Sequence, residues 1–148
     1  MKLIFTKDFF KSAIKLRLPS VFKEIKWFIQ RGKRGFSDQD CWDVNSYLCD
    51  IIPPMVRNIK KNHSGCPDIL YDKKKKNNEC WKWEEILEEI AQGFEAARSI
   101  ENMEYFQFKK NKDGNYTHWI DKKKQENLTK KFDRGISLFV EHFWGLWD

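Results

Sequence analysis

Residues 37–62, SDQDCWDVNSYLCDIIPPMVRNIKKN, decide the fold class, because they combine a helix start signal with a long apolar helical period. Ser37 is a favourable N-cap residue, and Asp38, Asp40 and Asp43 place carboxylates where the helix dipole favours negative charge. The apolar residues that follow recur at three- and four-residue steps and fall on one face: Val44, Leu48, Ile51, Ile52, Met55 and Ile59. The stretch therefore predicts a helix with one buried face.

Two prolines interrupt this predicted helix at Pro53 and Pro54. A proline lacks a backbone N–H and clashes with the preceding turn, so we expect a kink or a brief break near Ile52. The last turns are basic, as a helix C-terminus prefers.

Four further segments have helical apolar spacing. Residues 7–16 predict a short helix, and a second helix is expected from Pro19 to about Arg31, after a turn. Residues 81–97 carry an apolar stripe beside several glutamates, and residues 122–147 carry a nearly unbroken one. The sequence therefore predicts four to five helices.

The remaining segments lack helical spacing. Residues 63–79 contain glycine, proline and a lysine run, which indicate an exposed loop. Residues 104–119 alternate aromatic and polar side chains around Asp113-Gly114, a pattern typical of a β-hairpin. The predicted fold class is mainly α, a helical bundle of four to five helices with a small inserted β-hairpin, in a single domain over residues 1–148.

The positive charge is concentrated at the N-terminus. The chain has 148 residues and a net charge of +6, while residues 1–35 hold ten Lys and Arg against two Asp and Glu. Such a segment suits a polyanion, a nucleotide phosphate or an acidic partner surface. The alternative is a solvated helix face that the acidic helix at 81–97 neutralises.

No stretch has the roughly 18 uninterrupted apolar residues of a membrane span, and lysines interrupt the apolar core that a signal peptide needs. We therefore expect a protein of the cytoplasm with no membrane partner. There the four cysteines, Cys41, Cys49, Cys66 and Cys80, are expected to be reduced. A zinc site of His63, Cys66 and Cys80 would lack a clear fourth ligand, so no metal is predicted.

The turn between the second and third predicted helices is the candidate ligand site. Glycines at 32 and 35 permit positive φ, and the backbone amides between them lie beside the positive end of the next helix, a favourable place for phosphate. Arginine and lysine can bind phosphates, and aromatic faces can stack on a base. The candidate ligand-binding residues are Arg31, Lys33, Arg34, Phe36, Trp42 and Arg57.

Two carboxylate pairs suggest an enzyme as an alternative. Asp40 and Asp43, like Glu85 and Glu88, lie one helical turn apart, and two such pairs can hold Mg²⁺ against a nucleotide. The arrangement is similar to that of the all-α nucleotide pyrophosphatases, whose E-x-x-E motif precedes an E-x-x-D motif on another helix. Here an Asp pair comes first and no E-x-x-D follows, so no catalytic residue and no cofactor are predicted.

Three sequence segments together resemble a family of small uncharacterised proteins of tailed bacteriophages and prophages. They are RGFSDQDCW at 34–42, WEEIL at 83–87 with FE at 94–95, and LFVEHFWGLWD at 138–148. The resemblance covers most of the chain from Gly32 onward, apart from the lysine loop and the hairpin. It implies an accessory protein that works in the cytoplasm of an infected bacterium.

The leading functional prediction follows from this context. We expect a phage accessory protein that acts against host defence by sequestering a nucleotide immune signal or a host protein, without catalysis. The alternatives are a nucleic-acid-binding protein that uses its basic N-terminal helices, and the Mg-dependent pyrophosphatase-like enzyme. The aromatic residues, Phe 12, Trp 7 and Tyr 4, also suggest a homo-oligomer, because exposed aromatic patches mark interfaces.

Overall fold

The computed structural model describes the backbone of residues 7–67, 70–72, 77–78 and 80–147, and the side chains of 20–67, 70 and 82–147. Within these residues, four helices and two antiparallel strand pairs form the chain: α1 Lys7–Arg34, α2 Val44–Asn62, β1 Tyr71–Asp72, β2 Asn77–Asn78, α3 Cys80–Glu101, β3 Phe106–Lys110, β4 Tyr116–Ile120 and α4 Lys122–Glu141. The predicted fold class, a mainly α helical bundle with a small β-hairpin, is confirmed.

The chain divides into two compact units, Met1–Val44 and Asn45–Asp148. The smaller unit carries ten Lys and Arg against five Asp and Glu, and the larger unit carries eighteen against seventeen. Nearly all of the positive charge excess therefore belongs to the smaller unit. The single domain over residues 1–148 stays a prediction.

Helix α1 is continuous from Lys7 to Arg34, so the predicted turn between two N-terminal helices is wrong. Proline removes one intrahelical hydrogen bond, but the bonds on either side of it remain, and a long helix can continue through it. The helix ends where the sequence suggests. Gly35 has φ of 83° and its N–H donates to the Arg31 carbonyl at 2.9 Å, which is a left-handed helix end.

Helix α2 begins at Val44, not at Ser37 as predicted, because a 3-10 turn over Asp40–Trp42 comes first. The Ser37 N–H donates to the Asp40 carboxylate at 2.7 Å, and the Asp40 N–H donates to the Ser37 hydroxyl at 3.3 Å. These two reciprocal hydrogen bonds hold Ser37 against Asp40 ahead of α2. Asp43 then leaves helical geometry, with φ of −147°, so the first turn of α2 contains no acidic residue.

Helix α2 runs without interruption through Pro53 and Pro54, so the expected break near Ile52 does not occur. Pro53 and Val56 are buried. Burial of this apolar face favours the helical path and offsets the hydrogen bonds that the prolines cannot donate.

Apolar residues of α2, α3 and α4 form the core of the larger unit. Of the predicted α3 stripe, Trp83, Leu87, Ile90, Ala91 and Phe94 are at most 6% exposed, Ile86 and Ala97 are half-buried, and the Trp81 side chain lies outside the described residues. The core comprises Val56, Trp83, Leu87, Ile90, Ala91, Phe94 and Leu138.

Two glycines allow α3 and α4 to pack backbone against backbone. A Cβ built on Gly93 would lie 2.6 Å from the Cα of Gly135, and one on Gly135 would lie 2.5 Å from the Cα of Gly93. Any side chain at either position would force the helices apart. The pair therefore sets the distance between α3 and α4.

The predicted hairpin is present as strands β3 and β4, paired from Phe106 with Ile120 to Lys110 with Tyr116. At its turn Gly114 has φ of 83°, a conformation that glycine adopts without steric cost. The hairpin leads directly into α4, where the Asp121 side chain accepts a hydrogen bond from the Lys124 N–H at 3.0 Å.

Two predicted boundaries need correction. The loop predicted over 63–79 includes the short antiparallel pair of β1 and β2. Helix α4 ends at Glu141, not at Trp147, and a 3-10 turn over Phe143–Gly145 follows. Gly145 packs against Pro67, where an added Cβ would lie 2.7 Å from the proline ring, so close packing favours a tight turn over a longer helix.

Candidate functional site

Arg31 and Asp40, at the end of α1 and in the following 3-10 turn, form a two-pronged ion pair. The Arg31 Nε and Nη2 atoms donate to the two Asp40 oxygens at 2.9 and 2.5 Å. The Asp40 residue is 8% exposed. Hydrogen bonding to Arg31, assisted by Ser37, holds the pKa of Asp40 far below its usual range.

Arg34 is held by the same turn. Its Nε donates to the Phe36 carbonyl at 3.0 Å, its guanidinium pairs with Asp38, and its Cζ lies 4.6 Å from the Phe36 ring centroid. Asp38 also accepts from Gln30 at 2.7 Å and pairs with Lys26 at 3.3 Å. These hydrogen bonds, with Gln30 the largest contributor, then Arg34 and Lys26, lower the pKa of Asp38 to about 2.

The other predicted ligand residues of the smaller unit are exposed. Lys33 lies in the last turn of α1, Phe36 is 41% exposed and Trp42 is 88% exposed. Arg31 and Arg34 are thus both paired with carboxylates of this turn. A phosphate bound there by Arg31 or Arg34 would share the guanidinium with Asp40 or Asp38, whose negative charge opposes its binding.

Arg57, the sixth predicted ligand residue, lies in the larger unit and joins α2 to α3. Its Nη2 donates to Glu88 at 2.8 Å and to Glu95 at 3.0 Å, and Lys60 reaches Glu88 at 3.1 Å. The Glu95 and Glu88 carboxylates raise the pKa of Arg57. In return Arg57, with help from Lys60, lowers the pKa of Glu88 to about 2.

These contacts also bear on the predicted carboxylate pairs. Asp40 is bound by Arg31, and Glu88 is bound by Arg57 and Lys60, so one member of each pair already has cationic partners. In the part of the chain that the structure describes, no group of three or more His, Cys, Asp and Glu side chains could hold a metal ion.

The prediction that all four cysteines are reduced is wrong for Cys66, which is disulfide-bonded. Cys41 and Cys49 are not disulfide-bonded. A disulfide depends on the distance between two Cα atoms in the fold, which the composition does not reveal. Because a disulfide sulfur is not a thiolate ligand, Cys66 in this state does not support the zinc alternative.

An apolar groove of about 490 Å³ lies between α2, α3 and α4 in the larger unit. Its lining is mostly aliphatic and aromatic, with Asn45 and Glu101 as polar members. The adjacent Arg98 pairs with Asp50 at 2.5 Å and with Glu101 at 2.8 Å, and these acids raise its pKa. The groove therefore offers apolar contact but no lining cation for a phosphate.

The sequence prediction missed an exposed apolar stripe on α1, which we call the α1 stripe. The sequence predicted a helix with these residues at helical spacing, and in the structure each of them is between 42% and 77% exposed. The stripe consists of Val21, Phe22, Ile25, Phe28 and Ile29. The sequence signal was the helical period itself, which identifies a face without showing whether another element covers it.

No described helix is long and apolar enough to span a bilayer. Comparison with known proteins found no matching family model, no matching curated protein and no matching solved structure. The resemblance to a phage protein family therefore stays a prediction from the sequence.

Proposed function

We propose that this chain is a non-catalytic binding protein that sequesters a host protein, and that it does so through the α1 stripe. The phage setting and the role against host defence are part of the proposal and rest on the sequence resemblance. The observation that carries the proposal is the exposure of the stripe, whose five large apolar side chains lie on one helix face.

The size and exposure of the side chains favour a protein partner. Phe28 is 77% exposed and Phe22 is 67% exposed, and they alternate with Val21, Ile25 and Ile29 at helical spacing. An amphipathic helix of this kind inserts its apolar face into a groove of its partner, with residues at i, i+3, i+4 and i+7 as anchors. Buried aromatic anchors contribute a large share of the binding energy in such interfaces.

The charge of the smaller unit indicates the chemistry of the partner. Ten Lys and Arg against five Asp and Glu give this unit a positive field that would attract an acidic surface. Around the stripe, Lys23 and Lys26 are exposed on the same helix. We therefore expect the partner to offer an apolar groove rimmed by carboxylates, since opposite charges speed association and select the register.

The nucleotide form of sequestration has less support from the geometry. Arg31 and Arg34 hold Asp40 and Asp38, and Arg57 holds Glu88 and Glu95. A phosphate would share each arginine with a carboxylate, whose negative charge opposes its binding.

Affinity capture from a bacterial lysate, followed by reconstitution, tests the proposal. We would compare the wild-type chain with Phe22→Ser/Phe28→Ser, and use Trp144→Ser as the control, because Trp144 is 88% exposed and lies outside the stripe. We expect a protein that the wild-type chain and the control retain and the stripe variant loses. The purified partner should then bind with at least about tenfold lower affinity to the stripe variant.

Two results would overturn the proposal. One is a purified partner that binds the stripe variant as tightly as the wild-type chain. The other is no partner, combined with a raised melting temperature in a panel of cyclic di- and trinucleotides, which would favour the nucleotide signal because a ligand of the native state must stabilise it.

A further inference from the structure

We infer that the β3–β4 hairpin and α4 form a binding surface for single-stranded nucleic acid. This surface lies within residues 106–134 of the larger unit and is separate from the α1 stripe. The inference differs from the sequence prediction, which placed nucleic-acid binding on the N-terminal helices.

One face of the hairpin presents aromatic rings and a cation. Strand register pairs Phe108 with His118 and Lys110 with Tyr116, and residues two apart on a strand share a face. These four side chains, which we call the hairpin face, are therefore neighbours. Phe108 is 69% exposed and Tyr116 is 67% exposed, so both rings are accessible.

The rings of this face lie at distances suited to a stacking platform. The Phe108 centroid is 6.5 Å from that of Phe106, in a stacked arrangement, and 6.4 Å from that of His118. The Lys110 Nζ lies 5.9 Å from the Tyr116 ring centroid. Bases stack on aromatic side chains whatever their identity, and a cation beside the ring can reach the adjoining phosphate.

Helix α4, which follows the hairpin directly in the chain, carries basic side chains on one face. Lys123, Asn127, Lys130 and Arg134 follow one another at steps of four, three and four residues, so they share one face over about 16 Å of helix. A shallow concavity of about 550 Å³ lies among Lys123, Asn127 and Lys130. We call Lys123, Lys130 and Arg134 the α4 basic row.

The lysines of this row differ from the arginines of the smaller unit. Lys123 and Lys130 are exposed and form no ion pair among the residues that the structure describes. Arg134 pairs with Glu89 at 2.8 Å, in a contact that is exposed on both sides. Lys123 and Lys130 can therefore contact a phosphate without first leaving a carboxylate.

The local charge also favours a polyanion. Residues 106–131 contain eight lysines against three carboxylates, although the larger unit as a whole is nearly neutral. Lysines that neutralise phosphates release counterions, which drives binding at low salt. The aromatic face favours a single-stranded ligand, because the faces of the bases in a duplex are already stacked on one another and are not accessible.

Fluorescence anisotropy with a labelled oligothymidylate of about 20 nucleotides, an oligouridylate and a DNA duplex tests the inference at several salt concentrations. We expect the wild-type chain to bind the single strands more tightly than the duplex. The variants are Phe108→Ala/Tyr116→Ala for stacking and Lys123→Glu/Lys130→Glu for charge. Trp144→Ala and Lys61→Glu are the matched controls, since both residues are exposed and lie outside the surface.

The two variants should fail in different ways. Loss of the rings should weaken binding about tenfold or more and leave the salt dependence unchanged. Loss of the two lysines should weaken binding at low salt and reduce the slope of log K against log salt by about 1.4, at about 0.7 per phosphate contact. The controls should bind like the wild-type chain, and circular dichroism should show that every variant is folded.

Three results would overturn the inference. The first is no binding of any oligonucleotide by the wild-type chain at low salt, which would point to an acidic protein as the ligand of the basic row. The second is equal binding of single strands and duplex with no effect of Phe108→Ala/Tyr116→Ala. The third is loss of binding in both controls to the same extent as in the variants.

Discussion

Helices α1 and α3 carry the same kind of sequence pattern but differ in burial. In α3 the stripe of Trp83, Leu87, Ile90 and Phe94 is at most 6% exposed, whereas every residue of the α1 stripe is at least 42% exposed. An apolar period therefore identifies the apolar face of a helix. Whether that face is buried in the core or left exposed depends on whether another element of the fold packs against it.

The close packing of α4 on the apolar face of α3 has an identifiable cause. Gly93 and Gly135 let α4 approach α3 at backbone distance, so the neighbouring apolar side chains interlock. Gly32 of α1 has no heavy atom within 4 Å of a built Cβ. Equivalent substitutions in the two helices should therefore have unequal effects.

The largest difference is expected for apolar truncation. Leu87→Ala should lower the free energy of unfolding by about 3 kcal/mol, because it leaves a cavity at a fully buried site. Phe28→Ala in the α1 stripe should change it by less than about 0.5 kcal/mol. Urea unfolding followed by circular dichroism measures both. A large loss for Phe28→Ala would mean that the stripe is covered within the folded chain.

Adding a methyl group gives the second contrast. Gly135→Ala should destabilise by about 2 kcal/mol, since its Cβ would meet the Gly93 backbone. Gly32→Ala should stabilise by about 0.5–1 kcal/mol, because alanine restricts the unfolded chain and favours the helix. Thermal unfolding compares the two variants, and equal shifts in the same direction would contradict the close packing of α3 on α4.

The third effect depends on pH. Folding lowers the pKa of Glu88 from 4.5 to about 2, so its contacts with Arg57 and Lys60 stabilise above about pH 4.5 and lose this contribution as the pH falls toward 2. Glu88→Gln should cost about 1 kcal/mol at pH 7, a value discounted for solvent screening, and much less at pH 2. Urea unfolding at several pH values measures this difference. A constant difference between the two proteins from pH 7 to pH 2 would rule out the ion pair as its source.

The smallest effect is expected for Lys33, an exposed side chain at the end of α1. Lys33→Ala should change the free energy of unfolding by less than about 0.5 kcal/mol. The nearby Arg31→Ala should lower the melting temperature measurably, because it leaves the buried Asp40 carboxylate without its strongest partner. Differential scanning calorimetry distinguishes the two, and equal melting temperatures would contradict the assigned ion pair.

Local signals predicted the helices, the hairpin and the α3 core. The alternation around Asp113-Gly114 and the three- and four-residue apolar steps of α3 each depend on residues that are close in sequence. They can therefore be recognised in a single sequence. The prediction that Ser37 caps α2 was wrong, because Ser37 is hydrogen-bonded to Asp40 in the preceding turn and α2 begins only after Asp43.

The candidate site was less predictable because the availability of its arginines depends on residues that are distant in sequence. Arg31, Arg34 and Arg57 have the chemistry to bind phosphate, but their availability depends on which carboxylates the fold brings to them. Arg57 meets Glu95 across 38 positions of sequence, a contact that no local pattern specifies. The exposure of the α1 stripe is likewise invisible in its own apolar period.

The Arg31–Asp40 ion pair has a consequence for the order of folding. It joins residues nine positions apart, whereas the Arg134–Glu89 ion pair between α4 and α3 joins residues 45 positions apart. Short loops close fastest, so the turn after α1 can form during synthesis, before α4 has left the ribosome. The α1 stripe would then be exposed on an ordered helix while the larger unit is still incomplete.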